Sequence, residues 1–135
     1  MRHPVLFAMV VWGFAAVSGG YFQEVAAAEM LFRVVDGKVD ARIYNGYRRY
    51  HAGCNHCHGP DGVGSIFAFS LVDRPRDIEQ FRRVVRNGQS SGGTSVMRGF
   101  ADDPNFAPYI DDIYAYLQAR AEGVLGRGRP KRLKP

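Results

Sequence analysis

Cysteine is nearly absent from this chain of 135 residues; only two are present, which excludes a disulfide-dense secreted scaffold. The apolar stretch from Pro4 to Val17 falls short of the roughly 20 residues that span a bilayer, so a polytopic membrane protein is excluded as well. Internal repeats and long low-complexity segments are also lacking. What remains, 46% hydrophobic and 23% charged, is the composition of one globular domain and not of a disordered or collagen-like chain.

The N-terminus reads as an export signal. Arg2 is followed by the uncharged apolar run, and Ala26-Ala27-Ala28 before Glu29 offers an A-x-A cleavage site. Ser18-Gly19-Gly20 is a second possible site, and an uncleaved anchor is the alternative. The expected division is a cleaved signal over 1–28, a folded domain over 29–122 and a basic tail over 123–135. The domain is expected in an oxidising, extracytoplasmic compartment, the periplasm, with no stable membrane insertion once processed. Nucleic acid is disfavoured as a partner there.

Charge is concentrated at the far end. Residues 29–135 carry 17 Lys and Arg against 12 Asp and Glu, and Arg127, Arg129, Lys131, Arg132 and Lys134 lie in the last nine residues with no acid among them. The body is therefore near neutral. The tail reads either as a solvated, disordered terminus or as a device that steers the protein toward an acidic partner.

Three stretches have helical periodicity, and no strand pattern of comparable quality appears, so the chain is expected to be all-α. The first runs from about Ala41 to Cys54, with Ile43, Tyr47, Tyr50 and Cys54 on one face. The second runs from about Asp77 to Asn87, with Ile78, Phe81 and Val85 inward, Arg82, Arg83 and Arg86 outward, and Gly88 as its stop. The third follows Pro108, with Ile110, Ile113, Tyr114 and Leu117 on one face and Gly123 closing it. Gly59-Pro60-Asp61-Gly62 is a turn signal, and Gly88 to Gly93 is a Gly- and Ser-rich connection. Three short helices leave long loops, which need something inside the domain to order them.

The run Cys54-Asn55-His56-Cys57-His58 supplies it. In an exported protein, C-x-x-C-H reads as covalent c-type haem attachment. Residues i and i+3 project to one side of a helix, so Cys54 and Cys57 can each form a thioether with the haem, and His58 is carried under the iron as an axial ligand. A thioredoxin-like disulfide would need a βαβ setting that the chain does not offer. A zinc site recruiting His51 or His56 lacks a second ligand pair at suitable spacing. For the sixth iron position, Met1 and Met9 belong to the signal and Met30 to the new terminus; Met97 alone lies downstream of the motif, 39 residues after His58. The alternative role for Met97 is to fill a gap in the core.

Together, Tyr47, Cys54-x-x-Cys57-His58-Gly59, Gly62-x-Gly64, Leu71, Met97 with Gly99-Phe100, and Ile113-Tyr114-Ala115-Tyr116-Leu117 resemble the small bacterial class I cytochromes c over about residues 40–120. The resemblance implies three main helices and loops wrapped around one covalently attached haem. It also implies that the first and last helices cross near the haem edge, with Gly46, Tyr47, Tyr50, Tyr116 and Leu117 at the contact. More narrowly, Asn45 to His51 and Asp111 to Leu117 resemble the cytochromes associated with methanol metabolism and quinoprotein alcohol dehydrogenases. That implies a monomeric electron carrier, not an enzyme, that accepts electrons from a dehydrogenase carrying pyrroloquinoline quinone and passes them to an oxidase or another cytochrome. Two positions depart from the family pattern. Arg98 replaces the proline that follows the ligand methionine in many relatives, and Phe69 replaces the proline whose carbonyl accepts the proximal imidazole proton. Any residue has a carbonyl, so that hydrogen bond can survive at Phe69. The competing function is a haem enzyme or gas sensor with an open sixth position, for which Arg98 is the nearest basic residue.

Overall fold

The computed structural model describes residues 32–90, 92 and 96–134, so the expected signal with Met1 and Met9, and Met30 after it, lie outside the described residues. The first helical stretch becomes α1 (Ala41–Arg49), a wider π turn (Tyr50–Cys54) and a short α2 (Asn55–His58) in one continuous rod. The expected end at Cys54 is thus four residues early. The helix continues because the Asn55 N–H reaches back five residues to the Tyr50 carbonyl, and π turns of this kind recur at functional sites. Asp40 starts the rod, its carboxylate accepting from the Ile43 N–H at 2.8 Å.

The second stretch is α3 (Ile78–Asn87), capped by Asp77 and stopped by Gly88 at φ 77°. Phe81 and Val85 are buried as expected, but Arg82 does not point away. Its guanidinium grips Asp111 with both arms, at 2.8 and 2.6 Å, and so ties α3 to α4 (Ile110–Ala121). Through that hydrogen bond, and against the opposing effect of partial burial, Arg82 holds the Asp111 carboxyl below its ordinary value.

Helix α4 is central. Beyond the expected face it also buries Ala115, Tyr116 and Ala119, because α1 covers one side and the loop after His58 and the C-terminal tail cover the other. Where α1 crosses α4, Gly46 has no room for a Cβ, which would overlap the Asp112 carbonyl. Around it Tyr47 and Tyr50 pack on Tyr116 with ring centroids 5.6 and 5.7 Å apart. Gly46→Ala forces the helices apart and is expected to cost roughly 3 kcal/mol, lowering the melting midpoint by about 15 °C in a thermal melt followed by circular dichroism.

Short strands accompany the helices without changing the all-α class. β1 (Val34–Val35) and β2 (Lys38–Val39) form a hairpin, and Asp36-Gly37, both at positive φ, make its turn. β3 (Gln89–Ser90) pairs with β4 (Val96–Met97), and β5 (Lys131–Arg132) runs parallel to β2. The tail is therefore a strap laid on the domain, and the reading of a solvated, disordered terminus does not hold for residues 123–134. Leu125 is buried, the Leu133 N–H donates to the Val39 carbonyl at 2.8 Å, and Arg120 donates to the Leu125 carbonyl at 2.7 Å.

Candidate haem site

Cys54 ends the π turn and Cys57 lies one turn further along the same rod; both thiols are free. Cys54 is half-buried, and burial, reinforced by the neighbouring Cys57, pushes its thiol up to about 12. His58 closes the rod and is buried. Its Nδ1 lies 3.0 Å from the Phe69 carbonyl oxygen. A carbonyl can only accept, so Nδ1 carries the proton and Nε2 keeps a free lone pair for a metal. The departure from proline at Phe69 therefore leaves the bond that fixes the imidazole intact. The Phe69 ring also stands edge-on to the His58 ring, 5.7 Å between centroids.

The loop after His58 is pinned to the rod at both of its ends. The Tyr50 hydroxyl donates to the Gly59 carbonyl at 2.6 Å in a buried contact, and the Gly64 N–H donates to the His58 carbonyl at 2.7 Å. Gly59, at φ 72°, lies so close to the Gly64 carbonyl that no side chain fits there. Burial raises the Tyr50 phenol well above its ordinary range, so it is a fixed donor.

Met97 stands on the separate β3–β4 hairpin, partly buried against the same hydrophobic core that Cys54 and Leu71 pack on. The chain after it is held to the end of α3, with Phe100 N–H to the Val85 carbonyl at 2.9 Å and Ala101 N–H to the Arg86 carbonyl at 3.2 Å. Gly88 and Gly99 allow these backbones to touch. Arg98 is 73% exposed and turned outward, its guanidinium 4.6 Å from the Phe100 ring centroid and 3.8 Å from Asp103.

The His51 ring lies on the strap side of the rod, its Nδ1 3.0 Å from the Tyr47 carbonyl oxygen and its Nε2 3.5 Å from Asp61 Oδ1, the carboxylate that also accepts from Gly128 and Arg127. His56 is exposed. Among the described residues no three His, Cys, Asp or Glu side chains group as a metal site, so the zinc alternative finds no donor set there. The residues present fit a covalently held haem: two free thiols three residues apart on one rod, and an imidazole oriented through its other nitrogen. Exposed apolar side chains accompany both arms of the site, Ile66 and Phe67 on the loop after His58 and Val96 beside Met97.

One buried residue beside the motif escapes a reading of the sequence. Asp61, which local pattern marks only as part of a turn, is buried at φ 58°. Its carboxylate accepts from the Tyr116 hydroxyl at 3.1 Å, the Gly128 N–H at 3.1 Å and Arg127 Nε at 3.4 Å. Burial alone would raise its pKa; the hydrogen bonds from Gly128, Tyr116 and Arg127 outweigh it, and the net shift is downward.

A helix that ends in two thiols and an oriented imidazole, crossed by the last helix of a small all-α domain, defines a c-type cytochrome. Residues 41–117 match the family described as cytochrome c oxidase, cbb3-type, subunit III, and the chain belongs to that family of cytochrome c domains. It is 44% identical over 100 residues to cytochrome c-553I of Paracoccus denitrificans, an alignment covering 70% of this chain and 44% of that protein. The chain thus spans less than half the length of that relative. It is 32% identical over 93 residues to cytochrome c-555 of Methylococcus capsulatus, covering 67% of this chain and 72% of the relative. The crystal structure of the c-type cytochrome XoxG from Methylobacterium extorquens AM1 superposes with a TM-score of 0.71 at 44% identity, covering 77% of this chain and 67% of that one. All three relatives bear the name cytochrome, so the small class I cytochrome c resemblance holds and the cofactor is covalently bound haem c.

Proposed function

We propose that the protein is a periplasmic one-electron carrier with a single haem c held by Cys54 and Cys57, its iron ligated by His58 Nε2 and Met97 Sδ. The observation that carries this reading is the His58 Nδ1 to Phe69 carbonyl bond, which leaves Nε2 as the donor at the end of the thiol-bearing rod. Haem supplies an iron centre that gains or loses one electron. The chain's part is to hold and shield it. The Tyr50–Gly59 and Gly64–His58 bonds fix the imidazole side, and the hairpin pinned to α3 presents the thioether. A thioether at the sixth position raises the potential relative to a second imidazole and closes the iron to small ligands. The outward turn of Arg98 supports this over the enzyme or sensor reading.

The donor proposed is a quinoprotein alcohol dehydrogenase, and the acceptor an oxidase or a second cytochrome. The likeness of Asn45 to His51 and Asp111 to Leu117 to methanol-associated cytochromes supports it. The contact is expected to be small and transient, as redox encounters are. Mixing the oxidised protein with a methanol dehydrogenase carrying pyrroloquinoline quinone and its alcohol will reduce the haem in a stopped-flow trace. A protein that dithionite reduces but no such dehydrogenase reduces contradicts the donor assignment.

A further inference from the structure

The strap does more than cover α4: it builds a cationic face. Pairing of β5 with β2 sets Lys131 beside Lys38, both exposed. Arg129 donates to the Tyr44 hydroxyl, 3.2 Å from its Nε, and its guanidinium lies 5.7 Å from the Tyr44 ring centroid. Arg132 approaches the same ring at 6.0 Å, and Arg48 lies one turn along α1. Segments distant in sequence thus bring Arg48, Arg129 and Arg132 to the Tyr44 ring, while Lys38 and Lys131 stand side by side on the adjoining sheet. Among the described residues none of the five has an acidic partner. The two acids in the same region are Asp36, in the hairpin turn, and Asp40, which caps α1.

We propose that this face rests on an anionic phospholipid surface and tethers the carrier there. Position favours lipid over an electron-exchanging protein. Tyr44 lies ten residues before Cys54 and thirteen before Cys57 along a helical rod, which at about 1.5 Å per residue is roughly 15–20 Å. A redox partner must reach the cofactor, whereas a bilayer need only hold the protein with the cofactor free. Tyrosine among cations suits the headgroup layer, where an aromatic body and a polar tip are both accommodated.

The test is co-sedimentation of the soluble periplasmic holoprotein, followed by haem absorbance, with vesicles of phosphatidylcholine containing phosphatidylglycerol or of phosphatidylcholine alone. Binding is expected only to the anionic vesicles, and to vanish as salt is raised. Each cation near an anionic bilayer strengthens binding about fivefold, so Lys131→Gln with Arg132→Gln weakens it roughly 30-fold. Arg83→Gln with Arg86→Gln, two exposed cations of α3 away from this face, leaves it unchanged. Equal binding to neutral vesicles, equal loss in the α3 variant, or no binding to anionic vesicles overturns the proposal. Retention by soluble poly-glutamate without vesicle binding also overturns it and assigns the face to an acidic protein. Unchanged reduction by dithionite in every variant keeps this result separate from the carrier function.

Discussion

Replacing Met97 with alanine will turn an iron closed to external ligands into one that binds carbon monoxide when reduced. The change is all-or-none. Met97 is held on a hairpin whose continuation is hydrogen-bonded to the end of α3, so removing its side chain empties that position without moving the backbone. His51 lies beside Tyr47 and Asp61, and Arg98 is turned onto Phe100 and Asp103. The fold will survive, because the β3–β4 pairing and the Phe100–Val85 bond use backbone groups alone. Carbon monoxide difference spectra of wild type and variant measure the effect. Ligand resistance retained in Met97→Ala removes Met97 from the iron; ligand binding by the wild type supports the enzyme or sensor alternative.

Asp61→Ala is the second large change, and it acts on the strap. It strands the buried Tyr116 hydroxyl and the Gly128 N–H and releases Arg127, which together cost about 3 kcal/mol. Asp61→Asn keeps an accepting oxygen and a side chain that tolerates φ 58°, so it costs about 1 kcal/mol. Trypsin reads the difference directly, since Arg127, Lys131 and Arg132 are cleavage sites that the docked strap protects. Fast cleavage is expected in the alanine variant and slow cleavage in the asparagine variant and wild type. The same carboxylate makes docking pH-dependent. Its folded pKa is depressed, so its contribution is complete above the ordinary carboxyl value, near 4, and is lost as pH falls through its own lower value. Asp111, depressed by Arg82, weakens the α3–α4 contact in the same window. Below about pH 4 the asparagine variant will lose less strap protection than wild type, read by hydrogen exchange of the Gly128 and Leu133 amides, by roughly the stability this one carboxylate contributes.

How far the sequence reveals this molecule follows from the range of each interaction. The cores of the three helices are set by residues three and four apart and by caps such as Asp77 and Gly88, all within one local window. The haem motif is equally local: two cysteines and a histidine on one rod. Arg82, by contrast, reads as a solvated charge until Asp111, 29 positions away, is brought beside it. Strands of two residues carry no period of their own; β2 and β5 exist because the fold sets Lys38 next to Lys131. The tail looks like a charged terminus because its partners, Asp61 and Tyr44, lie 66 and 85 positions upstream. Asp61 is the plainest case. Gly-Pro-Asp-Gly predicts a turn correctly, but nothing local tells an exposed turn carboxylate from one buried under a strap. The one local mark of the π turn is Gly53, whose missing side chain makes room for the Phe106 ring, and that reason too lies far along the chain.

The most direct test of the account is the visible spectrum, oxidised and dithionite-reduced, of protein made in the periplasm of a host with haem-attachment machinery, with extraction into acidified acetone as its companion. The account predicts haem that stays with the protein, sharp low-spin bands on reduction and a weak long-wavelength band from methionine on ferric iron, all lost or altered in the Met97→Ala protein. Extractable haem, or none, contradicts attachment at Cys54 and Cys57, and a high-spin spectrum contradicts the pairing of His58 with Met97.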